Sequence, residues 1–251
     1  MDGERASRVR DLVLLHGWGL HAGVWDEIAA GLAPRFRVYA IDLPGHGNSH
    51  DPAPPAFEDA ADLVATAIPE GAFVCGWSLG GLVAQHLAVT RPGHIAKLVL
   101  VSSTPCFVAR PGWDTAMLPS TLETFASDLL RDRERTLRDF VQLNARHGSH
   151  ERATVRALWQ RLLQRPAPEL PALQASLGWL RDTDLRGVAP RIAMPTLVVH
   201  GTRDALAPIA TGHWLARTLP HAELVEIEDA AHLPFFTHRE RFVAALEHFL
   251  G

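Results

Sequence analysis

Cysteine is scarce in this chain, and several other features are missing altogether. Only Cys75 and Cys106 occur among its 251 residues, too few for a disulfide framework. Cys75 lies in an apolar stretch and reads as a small core residue. No apolar run approaches the roughly 18 residues that a membrane-spanning helix needs. The opening stretch MDGERASRVR is polar and charged, so no signal peptide is expected. There is no internal repeat and no low-complexity tract; Pro52-Ala53-Pro54-Pro55 is a short loop. A net charge of −4 removes any global electrostatic case for a nucleic-acid partner. Together these absences lead us to expect a cytoplasmic protein without cofactor or metal, most simply a monomer.

Hydrophobic residues make up 47% of the chain and charged residues 21%, an ordinary globular balance. The length suits one domain with an insertion, or at most two small domains. Short apolar runs alternate with helical patterns over the first hundred residues. Leu12–Leu15, Val38–Ile41, Ala72–Cys75 and Lys97–Val101 read as buried strands, and Asp59–Ile68 and Leu79–Thr90 as helices. Such alternation predicts a mostly parallel sheet flanked by helices, an α/β fold.

After Phe107 the texture changes. No strong strand pattern occurs from about Arg110 to Pro190, and helical spacing takes over at Ser120–Leu130, Arg133–Asn144, Glu151–Leu163 and Gln174–Leu180. A Ser or Thr cap is expected on the first of these. Strand signals return at Thr196–His200 and Leu224–Ile227, with helices over Pro208–Leu219 and Arg239–Leu250. The expected organisation is therefore a core formed by residues 1–108 and 193–251, with a helical lid at 109–192.

Gly76-Trp77-Ser78-Leu79-Gly80 matches G-x-S-x-G between an expected strand and an expected helix. A turn this tight strains the backbone of Ser78 and presents its Oγ at the carboxyl edge of the sheet. A serine alcohol is a weak nucleophile at neutral pH and needs a base held in one tautomer by an acid. Asp204 follows the strand Thr196–His200, and His232 lies in the loop after Leu224–Ile227. Ser78, Asp204 and His232 thus occur in the chain order that this arrangement requires. The developing oxyanion needs N–H donors, assigned to the backbone of Leu79 and of Trp18 in His16-Gly17-Trp18-Gly19. His16 itself is read as a structural hydrogen-bonding residue of that loop.

These motifs, with Asp42-Leu43-Pro44-Gly45-His46-Gly47, resemble the α/β-hydrolase superfamily over about Asp11–Phe107 and Met194–Leu250. Many members open with an antiparallel hairpin, for which the ten polar residues here leave little room. The wording of Leu15–Leu20, Gly76–Ala84 and Ser102–Phe107 resembles one branch, the esterases that act on methyl esters of carrier-bound pimeloyl chains in biotin synthesis. That resemblance implies a serine carboxylesterase releasing methanol and the pimeloyl acyl carrier protein. A general short-chain carboxylesterase, a lactonase, a carbon–carbon bond hydrolase and an idle ligand-binding member remain as alternatives.

Acyl carrier proteins are acidic, and an enzyme acting on them benefits from a basic face. Between Ser120 and Arg165 nine arginines stand against six acids, a local balance of +3 in a chain of −4. Arg131, Arg135 and Arg138 are spaced as one side of a helix, and Arg152 and Arg156 are an i, i+4 pair. A solvated face with internal ion pairs to Asp132, Glu134 and Asp139 is the competing account. Trp18, Trp77, Phe107, Phe140 and Leu206 are candidate walls of an acyl slot between lid and core. His147-Gly148-Ser149-His150 and His46…His50 lack the additional ligands of a metal site.

Overall fold

A computed structural model describes residues 9–251. The expectations about a signal peptide and a shortened opening hairpin fall largely on residues 1–8, outside that range. Six strands form one sheet: β1 (Arg10–Leu15), β2 (Phe36–Ile41), β3 (Ala72–Trp77), β4 (Ile95–Val101), β5 (Thr196–Gly201) and β6 (Ala222–Ile227). Their order is β2-β1-β3-β4-β5-β6, and every pairing among the described residues is parallel. Strands β3 and β5 are buried throughout, which explains why they do not show an alternating pattern.

Helices α1 (Asp26–Leu32), α2 (Phe57–Thr66) and α3 (Leu79–Thr90) belong to the first part of the core. Between β4 and β5 the chain forms α4 (Pro119–Arg131), α5 (Arg133–Ala145), α6 (Glu151–Leu162) and α7 (Leu170–Asp182). The core then resumes with α8 (Ile209–Thr218), α9 (Pro234–Thr237) and α10 (Arg239–Leu250). Among the described residues no helix is long and apolar enough to cross a membrane.

The strand order reverses between β1 and β3, and at such a switch point the loops leaving the carboxyl ends part to form a crevice. Leu15 pairs with Gly76 at the ends of these two strands. The loop after β1 and the Ser78 turn after β3 therefore emerge side by side. Gly76 and Gly80 make the second turn possible by close approach. A Cβ on Gly76 would strike the Gly80 carbonyl, and one on Gly80 would sit 2.6 Å from the carbonyl oxygen of His16.

Several contacts fasten the helical insertion to the core. The Trp18 indole donates to the Leu173 carbonyl of α7 at 3.1 Å, and the Trp179 indole donates to Pro54 at 3.1 Å. Arg161 pairs with Asp26 at 3.0 Å, while Arg165 reaches Asp42 at 3.2 Å. Asp42 is largely buried and also accepts from the amides of Ala22 and Asn48. Most of its lone pairs are thereby matched, which a buried carboxylate requires.

Two expectations need correction here. α4 has no Ser or Thr cap: Leu118 precedes it and Pro119 supplies the first turn, where a missing N–H costs nothing. Arg131 does not share a helix with Arg135 and Arg138. Asp132 is extended (φ −153°, ψ 92°), ends α4, and caps α5 by accepting from the amide of Arg135 at 3.0 Å.

Candidate active site

Ser78 has φ 54° and ψ −118°, a conformation that a side-chain-bearing residue adopts only when its surroundings enforce it. Its amide bonds the Val101 carbonyl at 3.0 Å, and its carbonyl accepts from Ser103 Oγ at 2.8 Å. Ser103 in turn receives a long contact from Gln85 Nε2 at 3.4 Å. This buried polar support was not read from the sequence, although Ser103 stands in the run Ser102–Phe107.

His232 Nδ1 lies 2.7 Å from Asp204 Oδ2. A carboxylate only accepts, so Nδ1 carries the hydrogen and Nε2 is left bare. Nε2 is buried and has no partner, and His232 lines the same pocket as Ser78. The second carboxylate oxygen of Asp204 accepts from the amides of Leu206 and Ala207, each at 2.9 Å. Burial works to raise the Asp204 pKa; the charge and hydrogen bond of His232 outweigh it and hold the carboxyl below its ordinary value. His200, also buried, donates Nε2–H to Ala207 at 2.7 Å and so braces the loop that carries Asp204.

Gly17 lies against Ser78, since a Cβ there would meet Trp77 at 2.9 Å and Ser78 Cβ at 3.2 Å. Trp18 follows it directly. Leu79 is the first residue of α3, whose opening amides have no helical partner and sit at the positive end of the helix dipole. His16 holds the loop in place, with Nδ1–H directed to Gly17 at 2.7 Å and Nε2 accepting from the Leu43 amide at 2.9 Å.

Trp18, Phe107, Phe140 and Leu206 line the pocket with Ser78 and His232. It is narrow, about 50 Å³, and almost wholly apolar. The insertion completes it with Leu122 and Phe125 of α4, Leu143 of α5 and Leu177 and Leu180 of α7. Sequence reading missed these five; Leu122, Phe125 and Leu129 do carry an i, i+3, i+7 signal, but it does not say what they face. Trp77 is a correction. It is fully buried outside the pocket, packs its ring on Phe235, and donates its indole N–H to the His232 carbonyl at 2.8 Å. Side chains alternate along a strand, so the residue before the turn points away from the side of Ser78.

Among the arginines, Arg138 pairs with Glu134 at 2.7 Å and lies over the Trp159 ring at 4.2 Å. Arg135 approaches Asp139, and Arg131 approaches Asp128, each at 3.9 Å. Arg152 and Arg156 are exposed on α6 and have no ion-pair partner among the described residues. No cluster of three or more potential metal ligands occurs among the described residues.

A strained serine, a histidine with a free Nε2 and a buried carboxylate behind it define a hydrolase of the serine type, and the chain belongs to the alpha/beta hydrolase fold family, which matches residues 12–239. It is similar to proteins named pimeloyl-[acyl-carrier protein] methyl ester esterase. The one from Nitrosomonas europaea is 42% identical over 238 residues, covering 94% of each chain. The one from Chromobacterium violaceum is 44% identical over 238 residues, covering 94% of this chain and 92% of its own. Among solved structures, the enol-lactonase from Burkholderia xenovorans superimposes with a TM-score of 0.83 at 26% identity, covering 99% of this chain and 94% of the other.

Proposed function

We propose that this protein is a serine carboxylesterase that hydrolyses the methyl ester of the pimeloyl chain on acyl carrier protein, giving methanol and the free carboxylate of pimeloyl-[acyl-carrier protein]. The observation that carries the chemistry is the 2.7 Å Asp204–His232 pair, which leaves a bare Nε2 in the pocket of Ser78. The near-full-length likeness to esterases of that name carries the substrate.

His232 Nε2 takes the Ser78 proton as Oγ bonds to the ester carbonyl carbon. The amides of Leu79 and Trp18 stabilise the resulting oxyanion. Collapse breaks the carbon–methoxy bond, and the departing oxygen takes the proton from His232 as methanol. Water then gives a proton to Nε2 while its oxygen attacks the acyl-enzyme, and Ser78 leaves reprotonated. An ionised Asp204 stabilises the imidazolium formed in each half. The apolar pocket suits the neutral ester and disfavours the carboxylate product, which favours release.

The exposed arginines of α5 and α6, Arg135, Arg138, Arg152 and Arg156, with Arg131 at the end of α4, form the docking face for the acidic carrier. Arg152 and Arg156 contribute most, since no internal partner among the described residues neutralises them. Residues 109–192 act as the lid. The testing experiment measures methanol released from the methyl-pimeloyl carrier protein. The proposal expects release by the enzyme and none by Ser78→Ala; an equal rate from both, or none from either, would overturn it.

A further inference from the structure

The Ser78 carbonyl and the Leu79 N–H belong to one peptide group. That group is planar and trans, so fixing the direction of its C=O also fixes the direction of its N–H. Two donors hold this carbonyl. The Leu82 amide reaches it at 3.1 Å as part of α3, and Ser103 Oγ reaches it at 2.8 Å from the segment after β4. Helix ends fray, and the bond from Ser103 ties the first peptide of α3 to a second element of the core.

The surroundings make room for this hydroxyl and orient it. A Cβ on Gly81, in the first turn of α3, would lie 2.5 Å from both Cβ and Oγ of Ser103. Glycine is otherwise poorly suited to a helix, so its place here is explained by the approach of Ser103. Gln85 is buried one turn further on, and its Nε2 reaches Ser103 Oγ at 3.4 Å. The same Nε2 donates to the carbonyls of Gly81 and Thr104 at 3.2 and 3.3 Å, which fixes the end of the amide that faces Ser103. An amide NH2 only donates, so Ser103 accepts from it and turns its own hydrogen toward Ser78. Ser102 is buried at φ 44°, a second strained residue beside Ser78, and strain of this kind persists only where the surroundings enforce it.

We propose that Ser103 is a positioning residue of the oxyanion hole, aiming and polarising the Leu79 N–H through the Ser78–Leu79 peptide. This deepens the preceding functional reading and rests on it. Ser103 does not line the catalytic pocket, so it acts through the main chain alone. Donation to an amide carbonyl draws electrons toward its oxygen and makes the N–H of the same peptide a stronger donor. The gain is greatest when Ser78 Oγ has bonded to the ester carbon and the former carbonyl oxygen carries negative charge. Ser103 therefore stabilises the transition state more than the bound ester, and its effect falls on kcat rather than KM.

The test compares Ser103→Ala with the parent enzyme on a free short-chain aryl ester and on two ketone inhibitors of the same chain. A trifluoromethyl ketone accepts Ser78 Oγ at its carbonyl carbon, passes the serine proton to His232 and places the resulting oxyanion in the hole. The matching methyl ketone binds without that addition. Complete loss of an oxyanion donor costs about 100- to 1000-fold in kcat, and a donor that is misaimed but present should cost about tenfold. The proposal expects that fall in kcat with KM within about twofold, and an equal weakening of the trifluoromethyl ketone alone. Gln85→Met, which leaves the Ser103 hydroxyl free to rotate, should give a smaller loss of the same pattern and serves should Ser103→Ala misfold. Parent values of kcat and of trifluoromethyl ketone affinity would overturn the role of Ser103 while leaving the esterase reading intact. Equal weakening of both ketones would overturn it too, as general damage to the pocket. No turnover of any ester by the unaltered enzyme would overturn both.

Discussion

The backbone N–H of His232 donates to the carbonyl of Asn144, 3.2 Å away in the last turn of α5. The histidine of the site is thus held by the helical insertion as well as by the core. The Trp18 indole makes a second bond in the same direction, donating to the Leu173 carbonyl of α7. Moving the insertion away would break both. The His232 amide is expected to exchange with solvent as slowly as the amides of β3, with or without substrate, in a hydrogen-exchange measurement. Exchange as fast as that of exposed loops would show an insertion that opens independently.

Gly17 is a second point of leverage. A methyl group there meets the Trp77 ring and Ser78 Cβ, so Gly17→Ala is expected to fold yet displace the loop carrying Trp18. A shift approaching 1 Å in a catalytic site costs up to about 100-fold in rate. Steady-state kinetics should show a 10- to 100-fold lower kcat by this order-of-magnitude reasoning, with little change in melting temperature. Wild-type kcat would contradict the close approach.

Acid sensitivity follows from two buried histidines. Burial, joined for His16 by the charge of His46, lowers their pKa values to about 3 for His16 and about 4 for His46. Both stay neutral in the folded state, while the unfolded chain takes up protons below about pH 6.5. Their contribution to stability is complete above pH 6.5 and is lost as pH falls toward 4 and then 3. The melting temperature should therefore fall between pH 7 and pH 5, before carboxylates titrate, and His46→Gln should flatten that slope. A flat profile in the parent protein would contradict it.

Charge on α6 should govern carrier recognition. Reversing Arg152 and Arg156 to Glu is expected to lower kcat/KM for the carrier-bound ester about tenfold at low ionic strength, and less as salt screens the encounter. Turnover of a free aryl ester should be unaffected. Equal effects on both substrates would point to damage in the pocket instead.

Much of this arrangement was legible because its signals are local. Ser78 sits in a five-residue motif, and Asp204 and His232 follow the short strand signals Thr196–His200 and Leu224–Ile227. The α7 helix was read too short, at 174–180, because Pro171 looks like a breaker but occupies the first turn, where it is tolerated. The short α1 was not read at all. Its seven residues include Gly31, and little apolar periodicity develops over two turns. Asn144 and Leu173 left no trace in the sequence, because both act through main-chain carbonyls that every residue carries. Trp77 and Arg131 were misplaced because one depends on strand parity and the other on a single extended residue, Asp132.

The most direct test of the account is the ratio of kcat/KM for the methyl-pimeloyl carrier protein to that for a free short-chain aryl ester. The account predicts a clear preference for the carrier-bound methyl ester, with both activities lost in Ser78→Ala. Turnover of the aryl ester alone would contradict the assigned substrate, and silence on both would contradict the esterase itself.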